Sequence, residues 1–164
     1  MTRKVEKARR IVITNGLSDI EVVPAHNFAA NVEACSAALE GFKRIDPTLK
    51  FKDWEEGTTG YRIERALADA ARRSRVIVER EATGSKRQTP CISAVMGLED
   101  VECVHARAYD LTVKACTAAH KILARLDSSL VFAHWEDAKG GSITNVLALA
   151  GRKCKAVVEA ELGK

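Results

Sequence analysis

The chain has 164 residues, 46% of them hydrophobic and 29% charged, with a formal net charge of +4. These are the proportions of a globular protein with a packed core. No apolar run approaches the roughly 20 residues of a membrane span, so a membrane protein is not expected. The charge excess is small and evenly spread, which argues against a dedicated nucleic-acid arm.

In chain order, the basic segment Met1–Arg10 is not followed by the apolar core of a signal peptide, and the expected location is the cytoplasm. Ile11-Val12-Ile13-Thr14, the turn dipeptide Asn15-Gly16 and Asp19-Ile20-Glu21-Val22-Val23 predict two paired strands. Phe28, Val32, Cys35, Leu39 and Phe42 fall at helical spacing, and Asp46-Pro47 is the expected stop. Leu49-x-Phe51 is expected as a short strand leading to Trp54. A second helix is expected after Gly60, with Ile63, Leu67 and Ala70 on one face, and the β-branched run Val76-Ile77-Val78 is expected to close the unit as a strand. Residues 82–90, rich in turn formers, read as a linker.

Beyond the linker the whole pattern returns. Gly16-Leu17, Asp19, Glu21, Val23 and Ala25 recur 81 residues later as Gly97-Leu98, Asp100, Glu102, Val104 and Ala106. Val32-x-Ala34-Cys35-x-Ala37-Ala38 recurs as Val113-x-Ala115-Cys116-x-Ala118-Ala119. Arg44, Asp46, Leu49, Phe51 and Trp54-Glu55 recur as Arg125, Asp127, Leu130, Phe132 and Trp135-Glu136. After Glu56 the offset falls to 80, and Gly60, Ile63, Leu67-Ala68, Ala70 and Arg72 match Gly140, Ile143, Leu147-Ala148, Ala150 and Arg152. Identities number 17 in 16–56 and 9 in 57–81, which is 26 of 66 aligned positions. Two units are therefore expected, 1–84 and 85–164. Each alone buries too little surface to be stable, so the copies are expected to pack on each other. The second copy is read like the first: strands over 91–96 and 100–104, and a helix carrying Tyr109, Val113, Cys116, His120 and Leu123 that Asp127-Ser128-Ser129 ends. A strand at Leu130-x-Phe132 and a closing strand at Ala156-Val157-Val158 complete it. Each unit is thus α+β, an open, mostly antiparallel sheet with helices on one face.

Duplication sorts the residues. A residue shared by both copies belongs to the fold, and one present in a single copy is free to serve function. Trp54 and Trp135 are equivalent and are expected to be packing anchors rather than ligand stackers. Cys35 and Cys116 are equivalent and are expected as small buried hydrophobes. The five cysteines include no CxxC and no zinc spacing, so no metal and no cofactor is expected, and reduced thiols fit a reducing compartment. The best basic cluster, Arg72-Arg73-x-Arg75, has no aromatic beside it; nucleic acid is not the expected partner.

The copies differ just before the first helix. The second reads Val104-His105-Ala106-Arg107-Ala108 and the first Val23-Pro24-Ala25-His26-Asn27. His-Ala-Arg at a strand-to-helix junction resembles the active-site loop of HPr, the histidine phosphocarrier of the sugar phosphotransferase system. Ser142-Ile143-Thr144-Asn145-Val146-Leu147-Ala148-Leu149-Ala150 resembles that family's second helix, whose first serine is a regulatory phosphorylation site in some members. The resemblance covers 97–163 and, more weakly, 16–84. It implies two tandem HPr-like units related by a pseudo-twofold axis. It implies His105 as phosphoacceptor, Arg107 as the cation beside the phosphate, Ser142 as the regulatory position, and an enzyme I-like protein as donor. Cys103, Val104 and Ala108 replace the family's Gly, Leu and Pro, and Pro24 and Arg62 stand at the histidine and serine positions of the first copy.

Physical chemistry supports the same residues. Imidazole titrates near neutrality and can attack phosphorus. A helix start offers free amides and a positive dipole end to the transferred phosphate, and Arg107 could add a charge-assisted bond. The alternatives are that His105 is a polar helix-start residue, Arg107 a surface cation and Ser142 an N-cap. The expected function is a phosphocarrier or a phosphorylation-dependent regulator. The alternative is an inactive HPr-like module that binds a protein partner or assembles into a homo-oligomer.

Overall fold

The computed structural model of the protein describes residues 7–16, 18–45, 57–130 and 140–162. Four strands and four helices alternate in pairs: β1 (Ile11–Asn15), β2 (Ser18–Pro24), α1 (Ala25–Ile45), α2 (Gly57–Glu81), β3 (Ile92–Met96), β4 (Glu99–His105), α3 (Ala106–Leu130) and α4 (Gly140–Leu162). The fold is α+β.

Each strand pair is a hairpin closed by a glycine in the left-handed region, Gly16 at φ 68° and Gly97 at φ 66°, a conformation that costs other residues a Cβ clash. The hairpins share one register, with Ile11 opposite Val22 in the first and Ile92 opposite Cys103 in the second. They join edge to edge into one antiparallel sheet of order β1-β2-β4-β3. The central seam sets Val23 against Val104, flanked by Val22 opposite His105 and Pro24 opposite Cys103.

Alternation splits the sheet. Val23 and Val104 turn to the helix starts, where they pack with Phe28, Ala106 and Tyr109. Val22, Ala94, Met96 and Cys103 form a separate cluster on the other face, joined by half-buried isoleucines of both hairpins. Among the described residues helices meet the sheet chiefly through α1 and α3, at β2 and β4.

The main core lies among the helices. α1 and α3 touch each other, and each of α2 and α4 lies against both. Phe42, Leu67, Ile122 and Leu147 are fully buried there among alanines and Cys35, Cys116 and Cys154. Gly41 permits the close approach of α1 and α4, because a Cβ there would stand 2.9 Å from Leu147 Cδ2. The two halves of the chain thus pack across each other, with α4 on α1. Among the described residues no helix is long and apolar enough to cross a membrane.

Three expected strands need correction. Val76-Ile77-Val78 lies in α2 and Ala156-Val157-Val158 in α4. β-branching favours a strand locally, but Leu67, Ala70, Ala71, Ser74 and Ile77 are buried at i, i+3, i+4 spacing, and so are Leu147, Ala150, Cys154 and Val157. That stripe against α1 and α3 outweighs β propensity of a few tenths of a kcal/mol per residue. Leu130 also belongs to α3, so Asp127-Ser128-Ser129 does not end the helix. The described elements therefore run β-β-α-α and then β-β-α-α again. Asp46-Pro47, Leu49, Phe51, Trp54, Phe132 and Trp135 lie outside the described residues, as do the side chains of Arg62, Ile63, Ser142 and Ile143.

Candidate functional site

His105 is the last residue of β4 and the residue before α3. Its ring is partly exposed. It shares a sheet face with its cross-strand neighbour Val22 and with Cys103, two places before it, so it borders the apolar face that the helices leave uncovered. The Arg107 backbone N–H donates to His105 Nδ1 at 3.1 Å. His105 thus caps α3 in the manner of an N-cap side chain, occupying one of the four amides that a helix start leaves free. In the neutral ring this acceptor role leaves the proton on Nε2. The first turn of α3 holds no acidic residue, and Asp110, just past it, is paired with Arg10. The Arg107 side chain is exposed, with no hydrogen bond or ion pair among the described residues.

Pro24 holds the equivalent place before α1 and is buried against Cys103 across the seam. It has no side-chain acceptor for the α1 amides and no nucleophile. The two helix starts are therefore chemically different. No family model, curated protein or solved structure matches this chain.

A polar latch, missed by sequence reasoning, fixes the first turn of α3. Arg10 bonds Asp110 at 2.7 Å and Glu21 at 3.0 Å, reaches Glu161 at 3.5 Å and stacks 5.5 Å from the Tyr109 ring centre. The Tyr109 hydroxyl donates to Glu161, and the Ala8 N–H donates to the same carboxylate at 3.4 Å. The end of α4 and the segment before β1 are thereby tied to α3, the helix that His105 caps. Burial, then the Glu161 bond, raises the Tyr109 phenol above its ordinary value. The neutral phenol is therefore favoured in the folded state. Its stabilisation is fully present below the unfolded pKa near 10 and is lost as pH rises beyond it. Tyr109→Phe should cost about 1.5–3 kcal/mol at pH 8. In urea melts the gap between wild type and variant should narrow above about pH 10; a gap constant across that range would refute the assignment.

Ser142 stands third in α4, inside its first turn rather than before it. Glu161, beside Tyr109, is nineteen residues further along the same helix, about 28 Å at 1.5 Å per residue. His105 and Arg107 are therefore together, and Ser142 is at the far end of the helical layer.

The buried cysteines behave as packing residues, whereas Cys91 is exposed. Cys35 and Cys116 are fully buried with sulfurs 3.9 Å apart, and Cys154 Sγ donates to the Ala34 carbonyl at 3.7 Å. Contacts with Cys154 and Cys35, then burial, push the Cys116 thiol up, which keeps it protonated and unreactive. Next to them Asn31 Nδ2 donates to Thr112 Oγ1 at 3.0 Å, joining α1 to α3. Among the described residues no His, Cys, Asp or Glu cluster could hold a metal ion. His120 is half-buried and His26 exposed, as solvated helix residues are.

Proposed function

We propose that the chain is a tandem pair of HPr-like units with approximate twofold symmetry, and that the second is a histidine phosphocarrier with His105 as acceptor. The observation that carries the reading is the bond from the Arg107 amide to His105 Nδ1. The unshared lone pair of the ring is already directed at the positive end of α3. Phosphorylation would exchange one acceptor for another. Nδ1 attacks the phosphoryl group, the bond from phosphorus to the donor nitrogen breaks with its electron pair going to the donor, and the Nε2 proton leaves to solvent. Phosphate oxygens then take up the amides that the ring releases, with Arg107 beside them.

Several equivalences support the duplication. Val23 faces Val104 across the seam, Asn31 bonds Thr112, and Cys35 touches Cys116, all at an offset of 81. Glu81 holds the Thr89 N–H at 3.1 Å as Glu161 holds that of Ala8. The phosphocarrier reading rests on the strand-to-helix junction and the aligned residues, not on the order of elements after α3. Five unpaired cysteines suit a cytoplasmic protein.

A second reading has its own observation. His105 already serves α3 as a cap and Pro24 replaces it in the first copy, which is what a binding module that has lost its chemistry would keep. Incubation with phosphoenolpyruvate and enzyme I separates the two. Mass spectrometry of the phosphocarrier should show one acid-labile phosphate, absent from His105→Ala. Under the binding reading wild type and variant stay unmodified alike.

A further inference from the structure

A groove between α2 and α3, about 490 Å³, carries a basic rim over an apolar floor. Ala66, Ala118 and Ile122 form the floor, and Arg73, Lys114, Lys121 and Arg125 stand around it. The acid in the lining, Asp69, already bonds Arg73 at 2.9 Å and lies 3.8 Å from Arg72. Its charge is taken up locally, so the rim presents positive charge to a ligand.

The groove runs on into an adjoining hollow lined by Asp69, Arg72, Arg73, Val76, Arg80 and Leu111. There Arg80 Nε lies 3.5 Å from the Glu81 carboxylate, while its Nη2 has no hydrogen-bond partner among the described residues. An anion in the hollow would satisfy that donor.

The duplicated sequence supplies a control. Lys114 and Lys121 correspond to Glu33 and Glu40 on α1, and Arg80 corresponds to Ala160 on α4. The folding role of these three positions is therefore met without cations, whereas Arg73 and Arg125 are matched by Lys153 and Arg44, so the charge that sets this groove apart is that of Lys114, Lys121 and Arg80. Lys114 and Lys121 are seven residues apart, about 10.5 Å along the helix, a spacing that suits an extended ligand with more than one anionic group. The volume is that of a small-ligand site. Among the described residues no aromatic side chain lines either hollow, so these residues offer no stacking platform for single-stranded nucleic acid.

We propose that the α2–α3 groove binds a small ligand carrying two or more phosphate groups. Lys114 is nine residues along α3 from His105, about 13 Å, so this site is separate from the phosphoacceptor and does not depend on it.

Calorimetric titration of the full chain with inorganic tripolyphosphate tests the assignment. Wild type and His105→Ala should bind alike. The Lys114→Glu, Lys121→Glu double variant, which installs the side chains found at the equivalent positions of α1, should weaken binding about 100-fold, tenfold for each reversed charge. Asp69→Asn releases Arg73 and should tighten binding several-fold, a gain that misfolding cannot produce. Lys43→Glu, on the exposed side of α1, should change affinity by less than about threefold. Absence of binding by wild type, an equal loss in Lys43→Glu, or dependence on His105 would overturn the proposal. So would duplex DNA that displaces tripolyphosphate at equal phosphate concentration, since that would make the groove a reader of nucleic-acid backbone.

Discussion

Expressed alone, residues 85–164 should form no stable monomer. That half keeps α3, α4 and the β3–β4 hairpin, and loses β2, α1 and α2. The helical core takes Ala34, Cys35, Ala38 and Phe42 from α1 and Leu67, Ala70, Ala71 and Ile77 from α2. All eight are lost to the remaining nine. Uncovering a large core side chain costs about 1.5–3 kcal/mol, and a whole domain is stable by only about 5–15 kcal/mol. β4 also loses β2 and is left with one bare edge. The escape is a homodimer in which β4 pairs with β4, because the native seam already pairs the equivalent residues Val23 and Val104. Light scattering with circular dichroism should find an unfolded chain or a dimer. A monomer with a cooperative melt would contradict the interlocked packing.

Phe42→Ala should remove about 3–5 kcal/mol. The ring is fully buried between the helices, and the close contact at neighbouring Gly41 leaves α4 no room to move inward in one piece. Its loss leaves a cavity rather than a collapse. Leu149→Ala is the control, since Leu149 is 42% exposed and should change stability by less than about 0.5 kcal/mol. Urea midpoints that shift equally in the two variants would show that the core is not where Phe42 lies.

Much of the fold was legible because its signals were local. Both hairpins follow from alternation around Gly16 and Gly97, and the buried faces of α1 and α3 follow from helical spacing. The ends of α2 and α4 were not legible. Val76-Ile77-Val78 and Ala156-Val157-Val158 carry strand propensity, and only the tertiary stripe from Leu67 and Leu147 onward makes them helical. The joining of the hairpins through β2 and β4 was equally hidden, since nothing in one copy announces that its edge will meet the other.

The site divides the same way. His105 and Arg107 could be found because they differ between otherwise matching copies. The Arg10–Tyr109–Glu161 latch could not, since it joins residues up to 151 positions apart. One signal did exist: Tyr109 and Asp110 stand where the first copy has Phe28 and Ala29, a gain of two polar groups at one helix start. The same comparison would have singled out Lys114 and Lys121.

The most direct measurement is the imidazole nitrogen spectrum of His105, recorded before and after exposure to enzyme I and phosphoenolpyruvate. A neutral ring protonated on Nε2 beforehand, and a phosphorus-coupled Nδ1 afterwards, is the predicted result. A ring whose two nitrogens keep their shifts while the donor remains charged would contradict the phosphocarrier account.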